Sequence, residues 1–173
     1  MITGSKVAIR GLTKEDSANI YEWVNKEELR ALTGTLYPVS EYEHEEWIRR
    51  TTTSGNTKLF LVFEKVSGKK LGTIGLKNFD YTNRNVELFI SLGISGGFGT
   101  DAVKTLTDYC FAHLNIHKVY LYVFESNQRA VRCYEKAGFI NEGTLSEHHF
   151  NNYNYESVIV MGRLNKTKQN KEF

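Results

Sequence analysis

Proline is almost missing from this chain: Pro38 is the only one in 173 residues. Cysteine is nearly as scarce. Cys110 and Cys133 offer neither a disulfide framework nor a metal-ligand spacing, so no metal is expected and a reducing cytoplasm is the expected location. No apolar run approaches the roughly 20 residues that a membrane span requires. Residues 1–12 lack the apolar centre of a signal peptide, so no membrane partner is expected. An excess of either charge is also missing. The formal net charge is +2 with both signs interspersed, which argues against nucleic acid as the main partner. What remains is a globular chain long enough for one core. Residues 1–164 are expected to form a single domain and residues 165–173 a polar, disordered tail.

Alternation predicts a first strand over 6–10. Thr13 with Asp16, and Ser40 with Glu43, are helix starts of the capping-box kind. The first helix ends near Asn25, and the second carries Trp47 and Ile48 on its apolar side. Strands follow over 59–64, 71–79 and 86–92, joined by turns at Ser67-Gly68 and at 81–85, which makes an antiparallel meander. A glycine-rich loop, Gly96-Gly97-Phe98-Gly99, then leads into a helix over 100–114. Its inward face reads Ala102, Val103, Leu106, Tyr109, Cys110 and Leu114. An apolar strand over 118–124 precedes a helix that Asn127 caps and Gly138 terminates. Strands over 139–145 and 155–163 close the domain, giving a mixed-sheet α/β fold with helices on both faces.

Two segments carry chemistry. Glycines between a strand and a helix start let backbone N–H groups converge, and the helix dipole adds about half a positive charge there. The loop therefore suits a pyrophosphate, although a tight strand-to-helix turn has the same sequence. In the following helix Asn127 and Tyr134 are seven apart and share a face, with the small Ala130 between them. That face can admit a slim ligand between an amide and a phenol. It can equally be a helix cap and a packed tyrosine.

The spelling Asn127-x-x-Ala130-x-x-x-Tyr134-x-x-x-Gly138-Phe139 is similar to the late motif of the GNAT acetyltransferases. The stretches 112–121 and 141–143 resemble the ribosomal-protein and spermidine acetyltransferase branch, as do Ile9-Arg10, Asp16, Trp23, Trp47 and 71–75. The resemblance covers roughly residues 6–164 and is most specific over 87–162. It implies a largely antiparallel sheet with a central splayed pair of parallel strands. It also implies acetyl-CoA as cosubstrate, with the pantetheine arm along 87–92 (Phe89, Ile90 and Ser91 included) and the pyrophosphate on Gly96, Gly97, Phe98, Gly99 and Thr100. Asn127 and Ala130 would border the pantetheine, and Tyr134 would face the thioester sulfur. A homodimer is a further expectation from the branch. The family's loop usually opens with glutamine or arginine, where this chain has Ile94, and the connection from Leu92 to Gly97 is short. That departure keeps a second reading open, an acyl-CoA-binding domain without catalysis.

Acetyl transfer to an amine needs a neutral amine, a stabilised oxyanion and a proton for the departing thiolate. Tyr134 is the expected acid and Glu87 the expected base, with Glu28 and Glu41 as rivals that also serve as substrate-binding candidates. The expected acceptor is a small amine such as a polyamine, or a protein N-terminus such as that of a ribosomal protein; the acidic run of Glu27, Glu28, Glu41, Glu43, Glu45 and Glu46 slightly favours a cationic one. Cys133 is read as a packed cysteine, because one helical step turns it about 100° from Tyr134. His148 and His149, adjacent on a strand, point to opposite faces and do not chelate one metal. Trp23 and Trp47 are expected in the core.

Overall fold

The computed structural model describes residues 1–93, 96–151 and 154–166. Eight strands form one sheet: β1 Ile2–Thr3, β2 Val7–Gly11, β3 Thr57–Glu64, β4 Lys70–Asp80, β5 Asn85–Leu92, β6 Lys118–Phe124, β7 Ile140–Asn151 and β8 Asn154–Leu164. Their order is β1-β2-β3-β4-β5-β6-β8-β7, antiparallel throughout except between β5 and β6. Five helices accompany it: α1 Ser17–Val24, α2 Glu27–Thr33, α3 Glu41–Thr53, α4 Phe98–His113 and α5 Gln128–Lys136. They cover both faces of the sheet. The core lies under α4, where Ala102, Val103, Leu106 and Cys110 meet Val7, Ile74, Val86, Leu88, Val119 and Leu121.

The caps form as the spacing predicts. Ser40 Oγ accepts the Glu43 N–H while the Glu43 carboxylate takes the Ser40 N–H, so two orphan donors at the start of α3 are satisfied. Asp16 does more than cap. It is fully buried, accepts the Thr13 N–H at 2.8 Å, receives both Arg10 guanidinium nitrogens at 2.7 and 3.0 Å, and pairs with Lys70 Nζ at 2.8 Å. Burial works to raise its carboxyl pKa, but the bonds from Arg10, Lys70 and Thr13 win and hold it well below the ordinary range. One carboxylate thus ties β2, the entry to α1 and β4 together.

Several expectations shift. Helix α2 was not visible in the sequence, because its seven residues carry only Leu29 and Leu32 as large apolar side chains. β1 is two residues long, below the reach of any alternation signal. α4 starts at Phe98, not at Thr100. Leu114 falls past the end of that helix and is 38% exposed, so it leaves the inward face. β7 extends to residue 151 and takes in His148 and His149. His149 stacks on Phe124 at 4.1 Å. Asn165, the first residue of the polar end, is buried and its N–H bonds His117 O at 2.8 Å. Residues 167–173 lie outside the described residues. Among the described residues no helix is long and apolar enough to cross a membrane.

Candidate active site

β5 and β6 run side by side for only three matched pairs: Asn85 with Lys118, Val86 with Val119, and Glu87 with Tyr120. Beyond Glu87 the strands part, although β5 continues to Leu92 and β6 to Phe124. The other edge of β5 stays paired with β4 as far as Leu92. The edge facing β6 is therefore left with ladder groups that have no strand partner. A cleft of about 920 Å³ opens there, with Leu88, Phe89, Ile90, Ser91 and Leu92 on one wall and Tyr122, Val123 and Phe124 on the other.

The glycine loop closes one end. Gly97 caps α4 with φ 80° and Gly96 sits at φ 117°, both in the left-handed region that glycine enters freely. The first N–H groups of a helix have no intrahelical acceptor, and no side chain among the described residues caps this one. Gly96, Gly97, Gly99 and Thr100 all line the cleft. Phe98 does not, and packs against the core instead. A Cβ on Gly99 would stand 3.3 Å from Cys133 Sγ, so α4 and α5 approach closely at this point. Asp101, in the first turn, fixes the N-terminal segment by accepting the N–H groups of Ser5, Lys6 and Val7 at 3.2, 2.7 and 2.9 Å. Lys6 Nζ in turn reaches Gly96 O at 3.2 Å. Ile94 lies outside the described residues.

Helix α5 supplies the opposite lining. Asn127 is its N-cap, with the side-chain oxygen accepting the Ala130 N–H at 3.1 Å. That bond leaves the amide NH₂ as the part of Asn127 free to point elsewhere. Ala130 and Tyr134 line the cleft with it, as the shared face predicts. Tyr134 is buried, and burial pushes its phenol pKa up. Cys133 departs from the expectation by lining the same cleft, together with Arg129, Arg132 and Lys136. The cleft wraps a wider arc of α5 than one helical stripe. Burial nevertheless raises the Cys133 thiol, against the opposing pull of Thr100, Arg129 and Lys136, which disfavours a thiolate. The Cys110 thiol, deep in the core, is pushed up by burial to about 12.

Glu87 stands where the strands part. It lines the cleft, and its carboxylate is held from both sides: Oε1 by Lys77 Nζ at 3.0 Å and Oε2 by Asn78 Nδ2 at 2.8 Å. Asn78 reaches it from a bulge in β4, at φ 53°. Tyr120, the β6 partner of Glu87, has its phenol raised by burial and then by the Glu87 charge. Among the described residues that line the cleft, Glu87 is the only carboxylate. Glu28 and Glu41 are exposed and outside the lining, as are Glu27, Glu43, Glu45 and Glu46. Glu43 serves the cap and Glu46 pairs with Arg49 at 2.7 Å. Trp23 and Trp47 are half-buried and not core residues, and Trp47 lines the cleft.

Sequence reasoning missed Lys77, Asn78, Tyr120 and Trp47. A signal existed for Lys77. The 81–84 turn sets Asp80 opposite Asn85, and counting back from it brings Glu87 to the neighbourhood of Lys77, an opposite charge. The bulge then decides between Lys77 and Asn78, and no sequence pattern announces it.

Known proteins share the sequence pattern and the fold. The model of the acetyltransferase (GNAT) domain matches residues 6–140. Spermidine N(1)-acetyltransferase of Vibrio cholerae is 28% identical over 160 residues, covering 91% of this chain and 92% of the relative. The Escherichia coli K12 enzyme of the same name is 37% identical over 97 residues, 54% of this chain and 52% of its own. The crystal structure of the Vibrio cholerae spermidine N-acetyltransferase in complex with CoA and spermine superposes with a TM-score of 0.85 at 28% identity, covering 93% of this chain and 96% of that one. Every residue lining the cleft falls inside the matched stretch, which places the chain in the GNAT acetyltransferase family as an N-acetyltransferase.

Proposed function

We propose that this chain transfers the acetyl group of acetyl-CoA to a primary amine of a polyamine, by direct attack of the amine on the thioester. The observation that carries the reading is the parting of β5 and β6 beyond Glu87. It gathers a glycine-capped helix end, a nearly buried carboxylate and a buried phenol around one cleft. The residues fit the cosubstrate. Side-chain-free backbone at Gly96, Gly97 and Gly99, with the open N–H groups of α4, suits a pyrophosphate, and Arg129, Arg132 and Lys136 add positive charge along α5.

Acetyl-CoA supplies an activated thioester, and the remaining work falls to the chain. The free edge of β5 at Phe89, Ile90 and Ser91 binds the pantetheine amides and offers an N–H to the developing oxyanion. Asn127, through its NH₂, and Ala130 border the same arm. Tyr134, kept protonated by burial, gives its proton to the departing thiolate. Glu87 takes the amine's proton, directly or through a water. The raised Cys133 thiol supports direct transfer over an acetyl-enzyme. The polyamine acceptor is supported by those relatives that are named for spermidine. Glu28 adjoins the cleft-lining Leu29, and we assign Glu28 and Glu41 to the outer ammonium groups of the acceptor. Two unpaired cysteines suit a reducing cytoplasm.

Calorimetric titration with acetyl-CoA, beside a thermal-shift assay, tests the cosubstrate. Binding with a raised melting temperature is expected. No binding at millimolar acetyl-CoA overturns the enzyme reading in favour of a domain without catalysis. Thiol release with spermidine then tests the acceptor. Release with a free-N-terminus peptide and none with spermidine moves the acceptor to proteins.

A further inference from the structure

Glu87 has a partner that the acid–base scheme does not use. Lys77 Nζ sits 3.0 Å from Glu87 Oε1 and 5.7 Å from the centre of the Phe89 ring, and Lys77 lines the cleft itself. The two side chains are cross-strand partners in the β4–β5 register. Their exposures differ: 43% for the Lys77 side chain against 9% for Glu87. The carboxylate is fixed, while the ammonium is on the wet side of the cleft.

We infer that Lys77 is a positioning residue that sets the ionisation of the acceptor amine beside Glu87. The inference rests on the acetyl-transfer reading above. An alkyl amine arrives as its ammonium, and only the neutral amine attacks. A lone carboxylate works against that step, because an opposite charge stabilises the ammonium. A second cation on the same carboxylate reverses the balance, since a like charge favours the neutral form of the newcomer. Lys77 is that second cation. It also holds the Glu87 oxygen toward the cleft, and the incoming amine meets a carboxylate whose charge is already shared. The other groups facing Glu87 are the Asn78 amide from β4 and the Tyr120 phenol from β6. β3 and α3 contribute Thr57, Thr51 and Trp47 to the lining, none of which titrates in the working range. The protons balance: the ammonium gives one proton to Glu87 or water, the neutral nitrogen forms the C–N bond at the carbonyl carbon, the C–S bond breaks with the thiolate taking the Tyr134 proton, and the second proton of the attacking nitrogen leaves to solvent and restores the phenol.

The test is the pH dependence of kcat at saturating amine, with KM followed beside it, for full-length wild type, Lys77→Met, Lys77→Gln and Lys77→Arg, with spermidine and with a simple alkyl monoamine. In Lys77→Met the acidic limb is expected to move up by about one pH unit. At pH 7 that is about a tenfold loss, carried by kcat while KM holds or falls, with recovery at high pH. Lys77→Arg is expected to keep the wild-type limb. Lys77→Gln keeps a hydrogen bond to Glu87 without the charge, and it serves should Lys77→Met fail to fold. A neutral variant that is folded and active with the wild-type limb overturns the inference, as does an equal shift in Lys77→Arg. A wild type that acetylates neither amine at any pH overturns the acetyl-transfer reading, and this inference with it.

Discussion

Glu87 and Tyr120 form the last matched pair of the parallel strands, and every cleft-lining residue of β5 and β6 beyond them lies where the two strands have separated. The site thus begins where the sheet stops. Tyr134, on α5, closes the opposite side of the opening, with its phenol kept protonated by burial. Tyr134→Phe removes the proposed proton source without opening a cavity. We expect kcat to fall on the order of 100-fold, the usual contribution of a positioned acid. The affinity for acetyl-CoA should stay within about threefold, because the ring still packs. Steady-state kinetics beside calorimetry separates the two, and unchanged turnover removes Tyr134 from the mechanism.

Asn78 holds Glu87 from a left-handed backbone position, φ 53°, that costs a non-glycine residue about 1 kcal/mol. Such strain persists where something needs it. Asn78→Gly removes both the strain and the amide, and Asn78→Ala removes only the amide. The glycine variant should melt higher than the alanine variant. Both should lose about tenfold in kcat/KM, since Glu87 then has one oxygen unheld. Activity equal to wild type in both would reduce Asn78 to a turn residue.

Gly97 has φ 80°, and a Cβ there would lie 3.3 Å from Lys6 Nζ. Gly97→Ala strains the cap and crowds the loop at once. Acetyl-CoA should bind at least about tenfold more weakly, with the melting temperature of the free protein falling by only a few degrees. An unchanged dissociation constant would remove this turn from the pyrophosphate site.

Much of this was legible in the sequence, for local reasons. The Asn127–Tyr134 spacing is a property of one helix, and Gly96 and Gly97 announce a backbone that only glycine enters freely. Both caps, at Thr13 and Ser40, lie within four residues of chain. What stayed hidden depends on register or on distance along the chain. Lys77 meets Glu87 only because a bulge near Asn78 shifts the pairing by one residue. Trp47 reads as core by composition, but α3 presents it to the cleft. Acid density singles out Glu28 and Glu41, but it does not say where the fold sets them: both are exposed and outside the cleft lining, with Glu28 next to the cleft-lining Leu29.

The Asp16 cluster gives the last prediction, on stability. Its carboxylate is fully buried between Arg10 and Lys70, two side chains contributed by β2 and β4. Asp16→Asn keeps the shape and removes the charge, leaving two cations that have lost their anion. Breaking a buried pair from one side costs about 3–5 kcal/mol. The lower end is expected here, because Arg10 and Lys70 are each about one-third exposed and can turn to water. The pH dependence has a fixed sign. The folded carboxyl titrates below its ordinary value of 3.8, so its contribution is complete above that value and fades as the pH falls beneath it. Asp101 is also lowered: burial opposes the shift, but the N–H groups of Lys6, Val7 and Ser5 together with the Ser5 hydroxyl overcome it, so it adds to the same loss. Urea midpoints measured from pH 7 down to about pH 2.5 should therefore fall steeply below about pH 4 in wild type. They should fall less steeply in Asp16→Asn, which starts lower. Parallel acid limbs in the two proteins would mean that the Asp16 charge contributes nothing to folding.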